Sequence, residues 1–142
     1  MLQITERVTG FPAYTATLTL SFERRQRTRQ RLHLDDGREA ALMLPRGTVL
    51  RGGDCLHAEN GEVIGVKAAT EEVSCAFCSD PLQLARAAYH LGNRHVPVQV
   101  GAGWLRYLRD YVLDRMLEEM GLQVRADRLA FEPESGAYHS HD

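Results

Sequence analysis

The residues able to do chemistry gather in one stretch. Cys75-x2-Cys78 is followed by eleven residues, His90, four residues and His95. Thiolate sulfur and imidazole nitrogen at this spacing approach a two-cysteine, two-histidine zinc site. Such a finger carries both histidines on one continuous helix. Here "HLGNRHVP" puts Gly92-Asn93 between them and Pro97 just beyond. Those residues predict a helix that stops at Gly92 and a chain that continues extended. A zinc-stabilised module built on Cys75, Cys78, His90 and His95 is therefore the weaker reading. The cysteines could instead form a redox pair, but thiol activation needs a helix that starts at the motif. The predicted helix starts later, at Pro81, so thiols without a chemical role fit better.

His95 reads as the first residue of a strand, "HVPVQVG", with Val96, Val98 and Val100 on one face and His95, Pro97 and Gln99 on the other. Pro97 cannot donate to a ladder, which predicts an edge or irregular strand. A histidine on the outer face of such a strand meets solvent or a partner subunit. Two copies brought together by a two-fold axis would form half a metal site. Imidazole suits Ni2+, Cu2+ and Zn2+ alike. A plain surface histidine is the competing reading, and these residues leave both open. Near the end of the chain His139 and His141 stand two apart, a spacing at which extended chain points both imidazoles the same way.

The elements that must position these groups fall into two blocks. Residues 14–66 predict β structure, with no helix before residue 80. "YTATLTLSF" alternates, placing Ala16, Leu18, Leu20 and Phe22 on one face. "RLHLDDGREAALML" and "CLHAENGEVIGV" read as hairpins, the second with two φ > 0 positions at Asn60-Gly61. "ERRQRTRQR" sets five arginines between Arg24 and Arg31. It reads as a solvated strand face and loop in preference to a nucleic-acid or acidic-partner surface, because no aromatic is interleaved.

Beyond residue 70 the pattern changes to strand ("EEVSCAF"), helix, strand, strand, helix, strand. Asp80 caps the first helix, Pro81 opens it, and His90 lies near its end, where a positive charge is favourable. "WLRYL" is the third strand. Asp110 caps "YVLDRMLEEMG", whose Leu113, Met116, Leu117 and Met120 make an apolar stripe, and "LQVRADRLAF" closes the unit. The fold class is α+β: an N-terminal all-β domain over 1–70 and a ferredoxin-like β-α-β-β-α-β domain over 71–142.

Composition narrows the function classes. The 142 residues are 44% apolar and 25% charged, with a net charge of −2. That balance implies no general attraction to nucleic acid or to a membrane surface. No apolar run approaches the ~18 residues of a membrane span, and "MLQITERVTGF" lacks the form of a secretory signal. Three cysteines cannot all pair within one chain, so a reduced, cytoplasmic setting is expected.

From "LTLSFERRQRTRQRLHLDDGREA" through "LPRGTVLRGGD", "DPLQLARAAYHLGNRHVPVQV" and "DYVLDRMLEEMGL" to "FEPESGAY", the chain resembles the UreE family of urease accessory proteins. The resemblance implies a non-enzymatic nickel metallochaperone, with a β domain similar to the peptide-binding module of J-domain co-chaperones. It also implies a ferredoxin-like domain that forms a homodimer. By the resemblance His95, the histidine of "GNRH", is shared between subunits to hold Ni2+, while His90 is structural. His139 and His141 supply further ligands, and Zn2+ or Cu2+ are substitutes in vitro. The implied partners are the urease accessory GTPase and apo-urease. Certain relatives carry extra histidines in the region matching "YLRDY", where this chain has Arg109 and Tyr111.

Overall fold

A computed structural model describes residues 1–136. His139 and His141 lie outside the described residues. The chain divides into two compact units, Met1–Ala69 and a second beginning at Thr70. Among the described residues no helix is long and apolar enough to cross a membrane.

The first unit is a six-stranded sheet of β1 (Leu2–Val8), β2 (Ala16–Leu20), β3 (Arg29–His33), β4 (Glu39–Met43), β5 (Cys55–Ala58) and β6 (Val63–Ala68). The spatial order is β2-β6-β5-β1-β4-β3, with β1 parallel to β4 and β2 parallel to β6. The alternation read from "YTATLTLSF" holds: Ala16, Leu18, Leu20 and Phe22 are all buried. Both hairpins form as well. In each, a glycine amide (Gly37, Gly61) donates to the carbonyl three residues back, Leu34 or Ala58. The strands close through Leu34 N–H to Arg38 O and Ala58 N–H to Glu62 O. These are three-residue loops with one left-handed glycine. Only Gly61 (φ 91°) has positive φ in the second, so the two-position turn expected at Asn60-Gly61 is not formed. Asn60 instead accepts the Glu62 amide on Oδ1 at 3.0 Å, the local bond that favours asparagine in turns.

A helix does occur before residue 80. Ser21 caps the single turn α1 (Phe22–Arg25), accepting the Arg24 amide at 3.3 Å. This corrects the solvated reading of the arginine cluster at one position, because Arg25 is fully buried. Its Nε–H donates to Leu20 O at 3.2 Å and Nη1 to Leu50 O at 3.3 Å. A charged donor can be buried where fixed carbonyl oxygens meet it. Sequence alone cannot show which of five neighbouring arginines finds them.

The second unit is β7 (Thr70–Phe77), α2 (Pro81–Asn93), β8 (Gln99–Gly101), β9 (Trp104–Leu108), α3 (Tyr111–Glu119) and β10 (Gln123–Ala130). The expected β-α-β-β-α-β order is present, and the sheet runs β10-β7-β9-β8, antiparallel throughout. Its core joins Ala76, Leu105 and Tyr107 of the sheet to Ala87 and Leu91 of α2 and Leu113 and Leu117 of α3. Asp80 and Asp110 cap their helices as expected, accepting Leu82 and Val112 amides at 3.0 and 2.9 Å. Beside the core, the Tyr107 hydroxyl donates to Asp114 Oδ1 at 2.8 Å. Burial, then the Asp114 bond, pushes the phenol well above its ordinary pKa, so it remains a donor.

Candidate metal centre

His95 is held by the end of α2, and not as expected. Gly92 does not take the left-handed stop; the helix runs through it to Asn93. The stop falls on His95, with φ 60°, the one non-glycine residue with positive φ among those described. The His95 amide donates to Gly92 O at 2.9 Å and the Val96 amide to Leu91 O at 3.1 Å. That is the 5→2 and 6→1 pair of a Schellman motif, with His95 at the position glycine usually holds. Val96 and Leu91 pack in one core, supplying the apolar contact that accompanies the motif.

α3 ends on the same device with the usual residue. Gly121 (φ 94°) donates to Glu118 O at 2.9 Å, and Leu122 to Leu117 O at 3.0 Å. One chain thus contains the same stop twice, once with glycine and once with histidine. A Cβ in the left-handed region costs about 1 to 2 kcal/mol. The imidazole of His95 is exposed, and among the described residues it makes no hydrogen bond or ion pair. The side chain itself therefore contributes no contact that offsets the strain.

His95 therefore does not begin a strand. β8 starts four residues later, at Gln99, and is an edge of the sheet. Val96 and Val98 pack on the core, while Val100, at the edge, is 49% exposed. His90 lies in the last turn of α2, with its ring edge-on to Tyr89 at 5.5 Å.

The zinc and redox readings fail on geometry. Cys75 lies on the sheet face away from the helices, where Arg106 Nε–H donates to its sulfur at 3.4 Å. Cys78 packs against the helix-side core. All three cysteines are free thiols, and the described residues contain no group of three or more His, Cys, Asp or Glu able to hold a metal.

Two neighbouring features escaped the sequence reading. Arg94, Tyr111, Val112, Arg115, Met116 and Glu119 line a hollow of about 490 Å3 next to His95 in sequence. Tyr111 and Val112 on its rim are 76% and 72% exposed, a large apolar exposure on adjacent residues. The other is a strap. After β10 the chain crosses the sheet on the face away from the helices, with Arg106 Nη1 donating to Ala130 O at 3.3 Å. The Glu132 amide then donates to Gln99 Oε1 at 3.0 Å and the Glu134 amide to Val98 O at 2.8 Å. Glu134 is thus fixed three residues along from His95.

The fold and this site define a two-domain α+β protein that presents a lone imidazole from a strained helix stop. Residues 5–69 match the family described as UreE urease accessory protein, N-terminal domain, and residues 71–142 match its C-terminal domain. The urease accessory protein UreE of Alkalilimnicola ehrlichii is 56% identical over 138 residues, covering 97% of this chain and 85% of the relative. That of Pseudomonas putida is 54% identical over 141 residues, covering 99% and 88%. An Enterobacter relative is 52% identical over 141 residues, covering 99% and 93%. The chain belongs to the UreE family of urease accessory proteins, which places it in urease maturation.

Proposed function

We propose that this protein is a cytoplasmic, homodimeric nickel metallochaperone that delivers Ni2+ for assembly of the urease active site. The carrying observation is His95, a histidine kept in a left-handed stop where α3 uses glycine. An exposed imidazole at that strain is explained by a ligand it must meet. One imidazole cannot hold an ion alone, so the other donors come from a second copy and from the tail. The exposed Tyr111 and Val112 beside the hollow that includes Arg94 suit a self-complementary contact, which would bring two His95 side chains to one axis.

His139 and His141 are the further ligands in this reading. His139 is five positions beyond Glu134, a contour of at most about 18 Å, and Glu134 is bonded to Val98. Chain length therefore permits the tail imidazoles to reach His95. Nitrogen ligands with open positions suit a carrier that must release its cargo. The ion would pass, with the urease accessory GTPase, to apo-urease; Zn2+ and Cu2+ would compete in vitro. The first domain (1–70) would serve partner binding, and the second (71–142) metal binding and dimerisation.

Calorimetric titration with Ni2+ tests the reading. Wild type should bind one ion per two chains with high affinity, and His95→Ala should lose that site. Removing the last four residues should weaken it without changing the oligomeric state. Undiminished tight binding by His95→Ala would exclude the site.

A further inference from the structure

The first unit carries a cationic concavity that the nickel reading does not use. Gln26, Arg27, Thr28, Arg29, Arg46 and Gly47 line a cavity of about 520 Å3. A second hollow of about 320 Å3 shares Arg29 and adds Arg31 and the apolar Met1, Ala41 and Met43. Arg27 pairs with Glu23 at 2.5 Å. The side chains of Arg29, Arg31 and Arg46 are exposed and have no hydrogen-bond or ion-pair partner among the described residues. Three guanidinium groups without an ion-pair partner among the described residues thus border two hollows that share Arg29, a cationic surface.

We propose that this face binds an extended acidic polypeptide segment of a partner protein. Arg29 and Arg31 are alternate residues of β3, so their side chains leave the same face about 7 Å apart. An extended peptide repeats its side chains at that same interval, so carboxylates at alternate positions meet successive guanidinium groups in bidentate geometry. Met1 and Met43, 58% and 40% exposed, offer an adaptable apolar floor between them. The sequence contains no Phe, Tyr or Trp from Arg24 to Arg46. His33, which follows Arg31 on the same face of β3, lies 3.8 Å from the Glu39 carboxylate. With that one small ring as the stacking surface, a peptide is favoured over single-stranded nucleic acid.

The segment lies across side chains and does not extend the sheet. β3 is the edge strand, and its even-numbered residues face β4, as in Leu44 N–H to Thr28 O. The outward carbonyl of Arg31 is already occupied by Arg24 Nη2 at 3.3 Å. Arg24 is itself held by its Nε–H to Gln30 Oε1 at 3.0 Å. A covered edge of this kind resists strand addition, so recognition falls to the guanidinium groups. The proposal is independent of the nickel site.

The test uses the full-length chain and a labelled peptide alternating Glu and Thr, with a Gln-for-Glu version as control. The Glu peptide should bind and weaken with salt, and the Gln peptide should bind at least tenfold less tightly. NMR of the wild-type chain should show shifts at the Nε–H signals of Arg27, Arg29, Arg31 and Arg46. Arg29→Glu combined with Arg46→Glu should cut affinity at least tenfold with an unchanged melting temperature. If that variant melts early, the wild-type shift map and the Glu-to-Gln comparison decide. Equal affinity for the two peptides, shifts confined to other residues, or stronger binding of inorganic phosphate or an oligothymidylate would overturn the proposal.

Discussion

The imidazole of His95 and the backbone that carries it make opposing demands. The left-handed stop favours a residue without Cβ, and Gly121 meets that demand at the end of α3. Histidine at the corresponding place in α2 trades stability for a donor nitrogen. His95→Gly should therefore stabilise the fold by roughly 1 kcal/mol, the left-handed penalty less the entropy of glycine, while nickel binding is lost. Urea unfolding checks the first outcome and titration the second. No gain in stability would mean that the strain is relieved elsewhere. Sequence reading found His95 but assigned the turn to Gly92, because glycine is the commoner stop. With the helix continued to Asn93, Val96 packs against the core that contains Leu91.

At the scale of elements, one arginine joins the two hairpin loops of the first unit. Arg38, from the β3–β4 loop, donates through Nη1 and Nη2 to both oxygens of Glu62, at 2.7 and 2.9 Å, and its Nε–H donates to Asp36 at 3.0 Å. The Arg38 hydrogen bonds, then the Asn60 amide, lower Glu62 from its ordinary 4.5 to about 2. A lowered carboxylate stabilises the fold above its unfolded value, and that contribution is lost as pH falls through the folded value. Arg38→Ala should raise the Glu62 midpoint toward 4.5, as read by NMR titration. The difference in melting temperature between wild type and variant should shrink as pH falls from 4.5 to 2. It should also be small throughout, since the network is solvent-exposed. An unmoved Glu62 midpoint would show that Asn60 and Thr15, whose hydroxyl donates to Glu62 Oε2 at 3.3 Å, hold the carboxylate without Arg38. The hairpins were readable from Asp-Gly and Asn-Gly. Their cross-link was not, because Arg38 and Glu62 are 24 residues apart.

At the scale of the molecule, each unit closes its own core. The apolar cluster of the second unit draws only on residues from Ala76 to Val124. A fragment of residues 70–142 should accordingly fold alone and bind nickel with the stoichiometry of the full chain. Circular dichroism and metal titration check this. A fragment that stays unfolded, or one that binds no metal, would tie the site to the first domain. The acidic-peptide face would be absent from this fragment, which separates the two proposals experimentally.

Period and punctuation were enough to determine much of this protein from its sequence. The alternation of "YTATLTLSF", the Asp80 and Asp110 caps, the loop glycines Gly37 and Gly61 and the β-α-β-β-α-β order are local signals, and each appears where it was expected. The residues that make His95 a site are set by contacts distant in sequence. The stop falls on the histidine, with Val96 packed against the core that contains Leu91. Gln99 and Val98 receive the strap 33 and 36 residues later, and fixed carbonyls bury Arg25 while leaving Arg29 and Arg46 free. Local propensity scores each residue against its neighbours, whereas these outcomes depend on what arrives from elsewhere in the chain, and only the tertiary structure decides that.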